Sequence, residues 1–344
     1  MNRFTRVSIA AWAALCMAGQ TPKQEKAALL EAKAIWSRGP HNAFTDLIRF
    51  KNRWYCVFRE GQAHVSPDGA IRVLTSADGE VWAPAALLKS DTADLRDPKL
   101  SITADRRLMI NAGAALHQPS EVLHRSMAWF SSEGRDWSDP VSIGGPNMWL
   151  WRVTWRLGRA YSAAYRTDGS HSIRLYTSSY GSNFEVLADE IFSDGNPSES
   201  TILFLADNSA LCLLRQDGET PGAQLGRALP PYRGWTWTNL GVRIGGPNMI
   251  QLPDGRIVAG GRLYDGKVRT SLCWLDRERG QLKEFLALPS GGDTSYPGLV
   301  FFNDLLLVSY YSSHEGKTMI YLAKVKIPPP DEKKPFNLSA FTGR

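Results

Sequence analysis

Short runs in which apolar and polar residues alternate, each bounded by a tight turn, recur along almost the whole chain. Clear examples are residues 54–58, 71–74, 202–205 and 305–310. The turns between such runs are rich in glycine, proline and aspartate, as in the Pro-Asp-Gly sequences at 67–69 and 253–255. Alternation with a period of two residues and turns of this composition are typical of β-strands joined in hairpins. The pattern therefore predicts an all-β protein.

One turn, with serine first, glycine fourth and an aromatic residue seventh, repeats along the chain. It occurs at residues 76–82, 131–137 and 178–184, with weaker copies at 228–235 and 275–282. The interval is about 50 residues, a period typical of stacked or radially arranged repeats. Four short strands per repeat are the signature of a propeller blade, and residues 41–327 have room for six. We therefore predict a six-bladed β-propeller; the alternative is a β-sandwich whose turns are alike by accident.

Both ends of the chain differ from the repeats. Residues 1–19 combine two arginines, an apolar run and small residues at the end, which predicts an export signal and a secreted or periplasmic protein. Within residues 20–40, the charged segment 21–32 is predicted to be helical, and residues 32–37 are the candidate for a strand that closes the ring. Residues 328–344 open with three prolines and are predicted to be a flexible tail.

Composition narrows the classes of partner and ligand. The chain has 344 residues and a net charge of +6, without the Lys/Arg run of a nucleic-acid-binding arm. After residue 19, no apolar stretch is long enough for a membrane span. Cys56, Cys212 and Cys273 each lie within a strand run, and no Cys/His cluster has zinc-like spacing. We predict free buried thiols, no metal and no cofactor.

Aligning the repeats places arginines on one face of the predicted ring. In an up-and-down blade, the ends of the second strands and the starts of the first strands share one face, and the serine–glycine turns lie on the other. Four of the six second strands end on arginine: Arg59, Arg166, Arg215 and Arg262. A guanidinium group suits a carboxylate or a phosphate. The positions predict an anion site, the alternative being solvent-exposed arginines at strand ends.

Charged and aromatic residues also mark the starts of the first strands. The candidates at these positions are Arg96, Asp97, Trp151, Arg152, Glu199 and Tyr296. Charged side chains at the start of an inner strand are poor choices for a core, so we interpret them as candidates for binding or chemistry. For Tyr296, the alternative is a core aromatic residue at a strand start.

These motifs resemble the sialidase (neuraminidase) superfamily over roughly residues 40–327. The Ser-x-Asp-Gly-x-x-Trp turns are similar to the Asp-box (BNR) turns of that superfamily, whose fold is a six-bladed propeller. The ordered series of Glu, Arg, Arg and Tyr is more specific than the turns. The resemblance implies that Tyr296 is a nucleophile, that Glu199 is its base and that Arg215 binds a substrate carboxylate.

The resemblance leaves two assignments open. Either Arg262 or Arg269 corresponds to a further arginine of the superfamily, and either His64 or Asp68 corresponds to its acid. One feature departs from the superfamily, because residues 42–45 lack the arginine that opens the first blade of sialidases. Two other arginines could reach the same space, namely Arg59 and Arg96. This departure puts the substrate in doubt more than the fold.

The resemblance implies a retaining exo-glycosidase that acts on a terminal acidic sugar of a glycan. A tyrosine with a pKa near 10 is a weak nucleophile, so a carboxylate such as Glu199 must accept its proton. Sialidases use a tyrosine nucleophile in this way. Two alternatives remain: a hydrolase for a neutral sugar such as arabinose on the same fold, or a non-catalytic carbohydrate-binding propeller with Trp149, Trp151 and the arginines at its mouth.

Overall fold

The computed structural model describes residues 26–330 as a closed ring of six antiparallel sheets. The prediction of an all-β, six-bladed propeller is confirmed. The predicted export signal at residues 1–19, and residues 331–344 of the predicted tail, lie outside the described residues. Residues 26–330 contain no helix, and therefore none long and apolar enough to cross a membrane.

Each blade is a meander of strands that run outward from the centre of the ring. The first three blades contain β2 (His41–Phe50), β3 (Arg53–Gly61), β4 (Ala70–Ser76) and β5 (Ala83–Leu88); β6 (Ala93–Ile102), β7 (Leu108–Leu116), β8 (His124–Ser131) and β9 (Val141–Ile143); and β10 (Met148–Leu150), β11 (Thr154–Arg156), β12 (Arg159–Arg166), β13 (Ile173–Ser178) and β14 (Glu185–Phe192). In the third blade, β10 and β11 both pair with β12 and together form the inner strand.

The remaining three blades follow the same order. They contain β15 (Asn196–Phe204), β16 (Ala210–Asp217), β17 (Gln224–Ala228) and β18 (Thr236–Asn239); β19 (Ile244–Gln251), β20 (Ile257–Leu263), β21 (Arg269–Asp276) and β22 (Gln281–Ala287); and β23 (Thr294–Phe302), β24 (Leu305–Ser312), β25 (Met319–Lys326) and β1 (Ala28–Trp36). The inner strands of neighbouring blades contact each other, and β2 contacts β23, which closes the ring.

Strand β1 forms the outer edge of the sixth blade, where it pairs with β25. The expectation of a helix over residues 21–32 is therefore wrong from residue 28 onward, and residues 21–25 lie outside the described residues. The charges that suggested a helix have partners in the ring, since Glu31 forms an ion pair with Lys324 at 2.9 Å and Lys33 pairs with Glu80. Backbone pairing with β25 outweighs the local helix preference.

The repeated turns form one local structure on one face of the ring. In the first blade, the Ser76 hydroxyl accepts a hydrogen bond from the Gly79 amide at 2.8 Å, and the same bond occurs from Gly134 to Ser131 and from Gly181 to Ser178. Each glycine has a positive φ, which favours glycine. Ser76 pairs with the start of β3, whereas Arg59 lies near its end. The turns therefore lie opposite the face that bears the predicted site.

The hydrophobic core lies between neighbouring blades rather than along the ring axis. One cluster, for example, joins Val57 and Val73 of the first blade to Leu95 and Ile110 of the second. Both faces of a blade are covered in this way. Residues on either face of a strand are therefore apolar where they contact the neighbouring blade. The stacked blades hold the inner strands in a fixed ring around the channel.

Five of the six inner strands contain a β-bulge close to their start. The register shifts between pairs made by Ala43 and Asp46 in the first blade, and equivalent shifts follow Arg96, Pro197, Gly245 and Ser295. Four bulges hold a residue with positive φ: Phe44, Asp97, Gly246 and Tyr296. A bulge re-aims a side chain, and three of these residues point into one cavity at the channel mouth.

Candidate active site

A cavity of about 400 Å³ opens at the mouth of the channel, on the face opposite the serine–glycine turns. Side chains from five blades line it, because the inner strands converge there. Those that carry its chemistry are His64, Arg96, Asp97, Trp149, Glu199 and Tyr296. The cavity combines aromatic walls with a few charged groups, which is the composition of a small-ligand site.

Glu199 and Tyr296 meet on the wall of this cavity. The Tyr296 hydroxyl donates a hydrogen bond to Oε1 of Glu199, and Arg215 donates to the same oxygen at 3.0 Å. The second carboxylate oxygen accepts the backbone amide of Gly246 at 2.6 Å. Burial alone would raise the pKa of Glu199, but Arg215 and these hydrogen bonds hold it below its ordinary value. Glu199 is therefore an ionised carboxylate that accepts a hydrogen bond from the Tyr296 hydroxyl.

Tyr296 itself remains protonated unless a base removes its proton. Burial, and then the negative charges of Glu199 and Asp97, raise its pKa well above the ordinary value. Two cations face its ring, since Lys99 lies 5.5 Å and Arg262 lies 5.8 Å from the ring centroid. Both would stabilise a negative charge on the Tyr296 oxygen if the hydroxyl lost its proton.

Asp97 lies in the same cavity and has the properties of an acid. It is 7% exposed and its Oδ1 has no hydrogen-bond partner within residues 26–330. Burial raises its pKa to about 6, although Arg96 and Lys99 act in the opposite direction. A carboxyl group with such a pKa both gives and takes a proton near neutral pH. The sequence predicts Asp97 to bind substrate; its surroundings fit proton transfer better.

Three of the predicted arginines lie close to the cavity. Arg215 contacts Glu199, as described above, and Arg96 lines the wall with its guanidinium 5.1 Å from the ring of Phe44. Arg262 donates to the carbonyl of Thr294 at 2.7 Å and to the Tyr311 hydroxyl at 3.0 Å. Of the two alternatives for the further arginine, the structure brings Arg262 and not Arg269 to the site.

Arg59 is not available to a substrate, contrary to the sequence-based expectation. Its side chain is 0% exposed, and it donates to Asp94 at 2.8 Å and to the carbonyls of Ala63 and Ser66. Asp94 in turn accepts a hydrogen bond from Arg96 at 3.2 Å. Arg59 therefore supports the loop and the cavity wall from behind, because the loop folds back over its guanidinium.

Two more predicted binding residues lie inside the channel beneath the cavity. Trp151 is 1% exposed and packs against the ring of Tyr296 at 5.3 Å. Arg152 makes two hydrogen bonds to the carboxylate of Asp46, at 2.7 and 3.1 Å. Both side chains fill the ring interior where the third blade is irregular, so the expectation that they contact a ligand is wrong.

Three further predicted residues do not line the cavity. Arg166 pairs with Asp168 at 2.8 Å at the end of β12. Arg269 pairs with Glu284 on the neighbouring outer strand at 2.6 Å. Asp68 accepts the amide of Gln62 and faces a separate recess, and its hydrogen bonds keep its pKa low despite some burial. A carboxyl with a lowered pKa is a poor acid at neutral pH, which also argues against Asp68 in that role.

Three aromatic residues of the cavity are not predicted from the sequence, namely Phe44, His124 and Tyr165, and Trp149 is predicted only for the carbohydrate-binding alternative. Trp149 and Tyr165 stack at 5.9 Å with an angle of 14° between their rings, and form an aromatic wall that His124 extends. Phe44 stands in the bulge of the first blade, 5.0 Å from the ring of Tyr296. A proline, at 98, 247 and 297, directly follows each of the bulged residues Asp97, Gly246 and Tyr296. Because proline cannot donate a hydrogen bond within a β-ladder, it is a signal in the sequence for these bulges.

His64 lines the cavity from the loop after β3, with its ring 5.1 Å from that of Phe44. Its Nδ1 lies 2.8 Å from Oδ2 of Asp293, which precedes β23. The same oxygen lies 3.0 Å from Nε2 of His41. Of the two residues predicted as the acid, the structure therefore brings His64 and not Asp68 to the cavity.

No protein-family model matches the chain, and no curated protein matches it in sequence. Solved structures share its fold. A protein of unknown function from Dyadobacter fermentans has a TM-score of 0.78 and 18% identity, over 88% of this chain and 99% of that protein. A mutant of Trypanosoma rangeli sialidase that displays trans-sialidase activity has a TM-score of 0.67 and 12% identity, over 87% of this chain and 58% of the sialidase.

An α-L-arabinofuranosidase from Fusarium graminearum has a TM-score of 0.63 and 14% identity, over 83% of this chain and 93% of the enzyme. At these identities, the similarity establishes the fold alone. The chain therefore has the six-bladed propeller fold that sialidases and arabinofuranosidases share. The question of what it does rests on the residues of the cavity.

Proposed function

We propose that the protein is a retaining exo-glycosidase with Tyr296 as its nucleophile. The observation that carries the proposal is the hydrogen bond from the Tyr296 hydroxyl to the ionised, arginine-bound carboxylate of Glu199. Tyrosine needs such a base to attack, and a buried carboxylate aimed at its hydroxyl has that function. The location of Asp97 in the same cavity, with its raised pKa, adds the acid that the leaving group requires.

The reaction proceeds in two steps. In the first, the Tyr296 oxygen bonds to the anomeric carbon while its proton passes to Glu199, and Asp97 gives its proton to the departing glycosidic oxygen. In the second, Asp97 takes a proton from water, whose oxygen bonds to the anomeric carbon. The bond to Tyr296 then breaks, and the tyrosine oxygen recovers its proton from Glu199. Two inversions leave the anomeric configuration retained.

An acidic terminal sugar is the first candidate for the substrate. Arg96 at the cavity wall, and Arg215 and Arg262 beside Glu199 and Tyr296, place positive charge around the position of the anomeric carbon. A neutral nucleophile suits a centre that bears a carboxylate, because a carboxylate nucleophile would be repelled. The aromatic wall of Trp149 and Tyr165 suits the apolar face of a sugar ring.

A neutral terminal sugar is the second candidate, and two observations favour it. Phe44 occupies the bulge of the first blade, in the segment where sialidases carry an arginine. In addition, Arg215 is already bound to Glu199 and to Asp217 at 2.7 Å, which leaves it fewer donors for a substrate. An apolar ring beside Tyr296 is suited to an uncharged sugar.

Aryl glycosides test the proposal and separate the candidates. We expect release of the aryl group from either an α-sialoside or an α-L-arabinofuranoside, with loss of release in Tyr296→Phe. NMR of the first product formed should show the anomeric configuration of the substrate. Sugar binding without turnover of any glycoside in the panel would contradict the proposed enzyme activity and favour a carbohydrate-binding propeller.

Secretion stays a prediction from residues 1–19. It is tested by locating the protein after expression of the chain with and without these residues.

A further inference from the structure

Three metal-binding side chains converge at the edge of the cavity. The Nε2 of His41 and the Nδ1 of His64 lie 3.0 and 2.8 Å from the same carboxylate oxygen, Oδ2 of Asp293. One ligand atom from each residue lies within 4.8 Å of the other two. The residues come from the start of β2, the loop after β3 and the segment before β23, so the meeting of the first and sixth blades creates the cluster.

We propose that His41, His64 and Asp293 bind a divalent transition-metal ion of the Zn²⁺ class. Two imidazole nitrogens and one carboxylate oxygen are one of the ligand sets found in three-ligand zinc sites. With metal–ligand bonds of about 2.0–2.1 Å, tetrahedral geometry separates neighbouring ligand atoms by about 3.3 Å. The two nitrogen–oxygen separations, 3.0 and 2.8 Å, need to widen by a few tenths of an ångström, and the two nitrogens, which lie within 4.8 Å of each other, need to settle at a similar spacing. Nitrogen ligands exclude Ca²⁺ and Mg²⁺ as the preferred occupants.

The surroundings hold the carboxylate in place for such a role. The other oxygen of Asp293 accepts a hydrogen bond from the Tyr311 hydroxyl at 2.9 Å, and Tyr311 is fully buried. Arg262 donates to that hydroxyl in turn. Metal ligands are commonly fixed by such a second layer of hydrogen bonds, which lowers the cost of organising the site when the ion binds. His41 is also buried against the ring of His64.

The fourth coordination position faces the cavity. His64 is half exposed and lines the cavity beside Arg96, whereas His41 and Tyr311 close the site on the protein side. An ion held by three protein ligands keeps a position for water or for an oxygen of a ligand. If the proposed glycosidase function holds, that oxygen belongs to the sugar, and the ion supplies positive charge near the segment 42–45 that lacks an arginine. The metal site itself does not depend on that function.

Titration of the metal-free protein with Zn²⁺ alone tests the proposal. Isothermal titration calorimetry should give one site per chain, because all three ligands come from a single copy of the protein. His64→Ala and Asp293→Asn should each weaken binding by at least about 100-fold, since even indirect partners of a metal contribute about 10–100-fold. Co²⁺ in place of Zn²⁺ should give visible absorption typical of tetrahedral coordination.

A matched control uses another histidine of the same cavity. His124→Ala removes an imidazole that lines the cavity outside the cluster, and should leave Zn²⁺ affinity unchanged. Circular dichroism and thermal unfolding of each variant without metal show whether the fold is retained. Equal Zn²⁺ affinity in the wild type, His64→Ala and Asp293→Asn would overturn the proposal, as would no binding by the folded wild type. Neither result bears on turnover by Tyr296, so the two proposals fail separately.

Discussion

Tyr296 donates a hydrogen bond to Glu199 across 97 residues of sequence, because the fourth and sixth blades bring their inner strands to the same mouth. The backbone of the fifth blade completes the arrangement, since the amide of Gly246 binds the other carboxylate oxygen. Residues of three blades therefore hold the Tyr296 hydroxyl and its hydrogen-bond acceptor, the Glu199 carboxylate, in place. If the proposed function holds, this arrangement supplies the preorganised groups that catalysis requires.

Tyr296→Phe should reduce glycoside hydrolysis by at least about 10⁴-fold, the scale of losing a nucleophile. Only a hydroxyl is removed, so substrate binding and the fold should be nearly unchanged. Tyr310→Phe is the matched control, because Tyr310 is also buried in the same blade but donates to the carbonyl of Pro289 away from the cavity. Steady-state kinetics of both variants checks the prediction, and comparable activities would contradict it.

Asp97→Asn should stabilise the protein at neutral pH while it slows hydrolysis. The pKa of Asp97 is raised to about 6 in the folded state, so the folded protein binds its proton more tightly than the unfolded chain. Stability is therefore lost as pH rises from about 4 through 6. The titratable groups that act most strongly on Asp97 are Arg96, Lys99, Glu199 and His64.

Denaturant unfolding of wild type and Asp97→Asn at pH 4 and pH 7.5 measures this effect. The variant should gain up to about 3 kcal/mol at pH 7.5, from a shift of about two pKa units, and at most about 0.5 kcal/mol at pH 4. In the wild type, kcat/KM should fall above pH 6 as the acid loses its proton, and the variant should lack that fall. A gain of stability that is the same at both pH values would exclude the ionisation as its cause.

Gly246→Ala should disrupt the site through both its backbone and its side chain. Gly246 has a φ of 59°, and a Cβ added there would lie 2.8 Å from Cδ2 of Tyr296. Gly241→Ala is the control, since Gly241 has a similar φ of 68° but no atom within 4 Å of an added Cβ. The left-handed backbone should destabilise both variants by about 1–2 kcal/mol. Only Gly246→Ala should lose hydrolysis, and equal activities would show that Tyr296 tolerates the displacement.

Arg59→Met should act on stability and not primarily on substrate affinity. It keeps much of the side-chain volume but leaves Asp94 buried without its main partner, which costs about 3–5 kcal/mol for a broken buried pair. Arg269→Met is the comparison, because its pair with Glu284 lies outside the cavity and is more exposed. Thermal and denaturant unfolding should separate the two. A raised KM with unchanged stability in Arg59→Met would restore Arg59 as a binding residue.

The fold could be predicted because its signals are local. Within a turn, Ser76 and Gly79 are three residues apart and bond directly to each other, so their pattern is visible in any copy of the repeat. The period of the copies then specifies the number of blades. Residues 28–32 were misassigned for the opposite reason, since their partner β25 is almost the full length of the chain away.

The site could be predicted only in part, because the direction of a side chain depends on backbone register. Alignment of the blades placed Glu199 and Tyr296 at the mouth, and the structure brings them together. It also placed Arg59 there, but the loop after β3 folds over that arginine. The role of Asp97 depends on burial inside a bulge, and burial of a charged group cannot be deduced from residue type. The catalytic roles of Glu199, Tyr296 and Asp97 remain predictions.

The pairing of β1 with β25 has a consequence for synthesis of the protein. The blade that carries Tyr296 is built from the first and the last strands of the described chain, so it is the last blade to be completed as the polypeptide leaves the ribosome. Until then, β1 has an unpaired edge and Glu199 lacks the hydroxyl that it binds. A nascent chain released before β25 would contain most of the blades but no assembled site, which ties the meeting of Tyr296 and Glu199 to synthesis of the sixth blade.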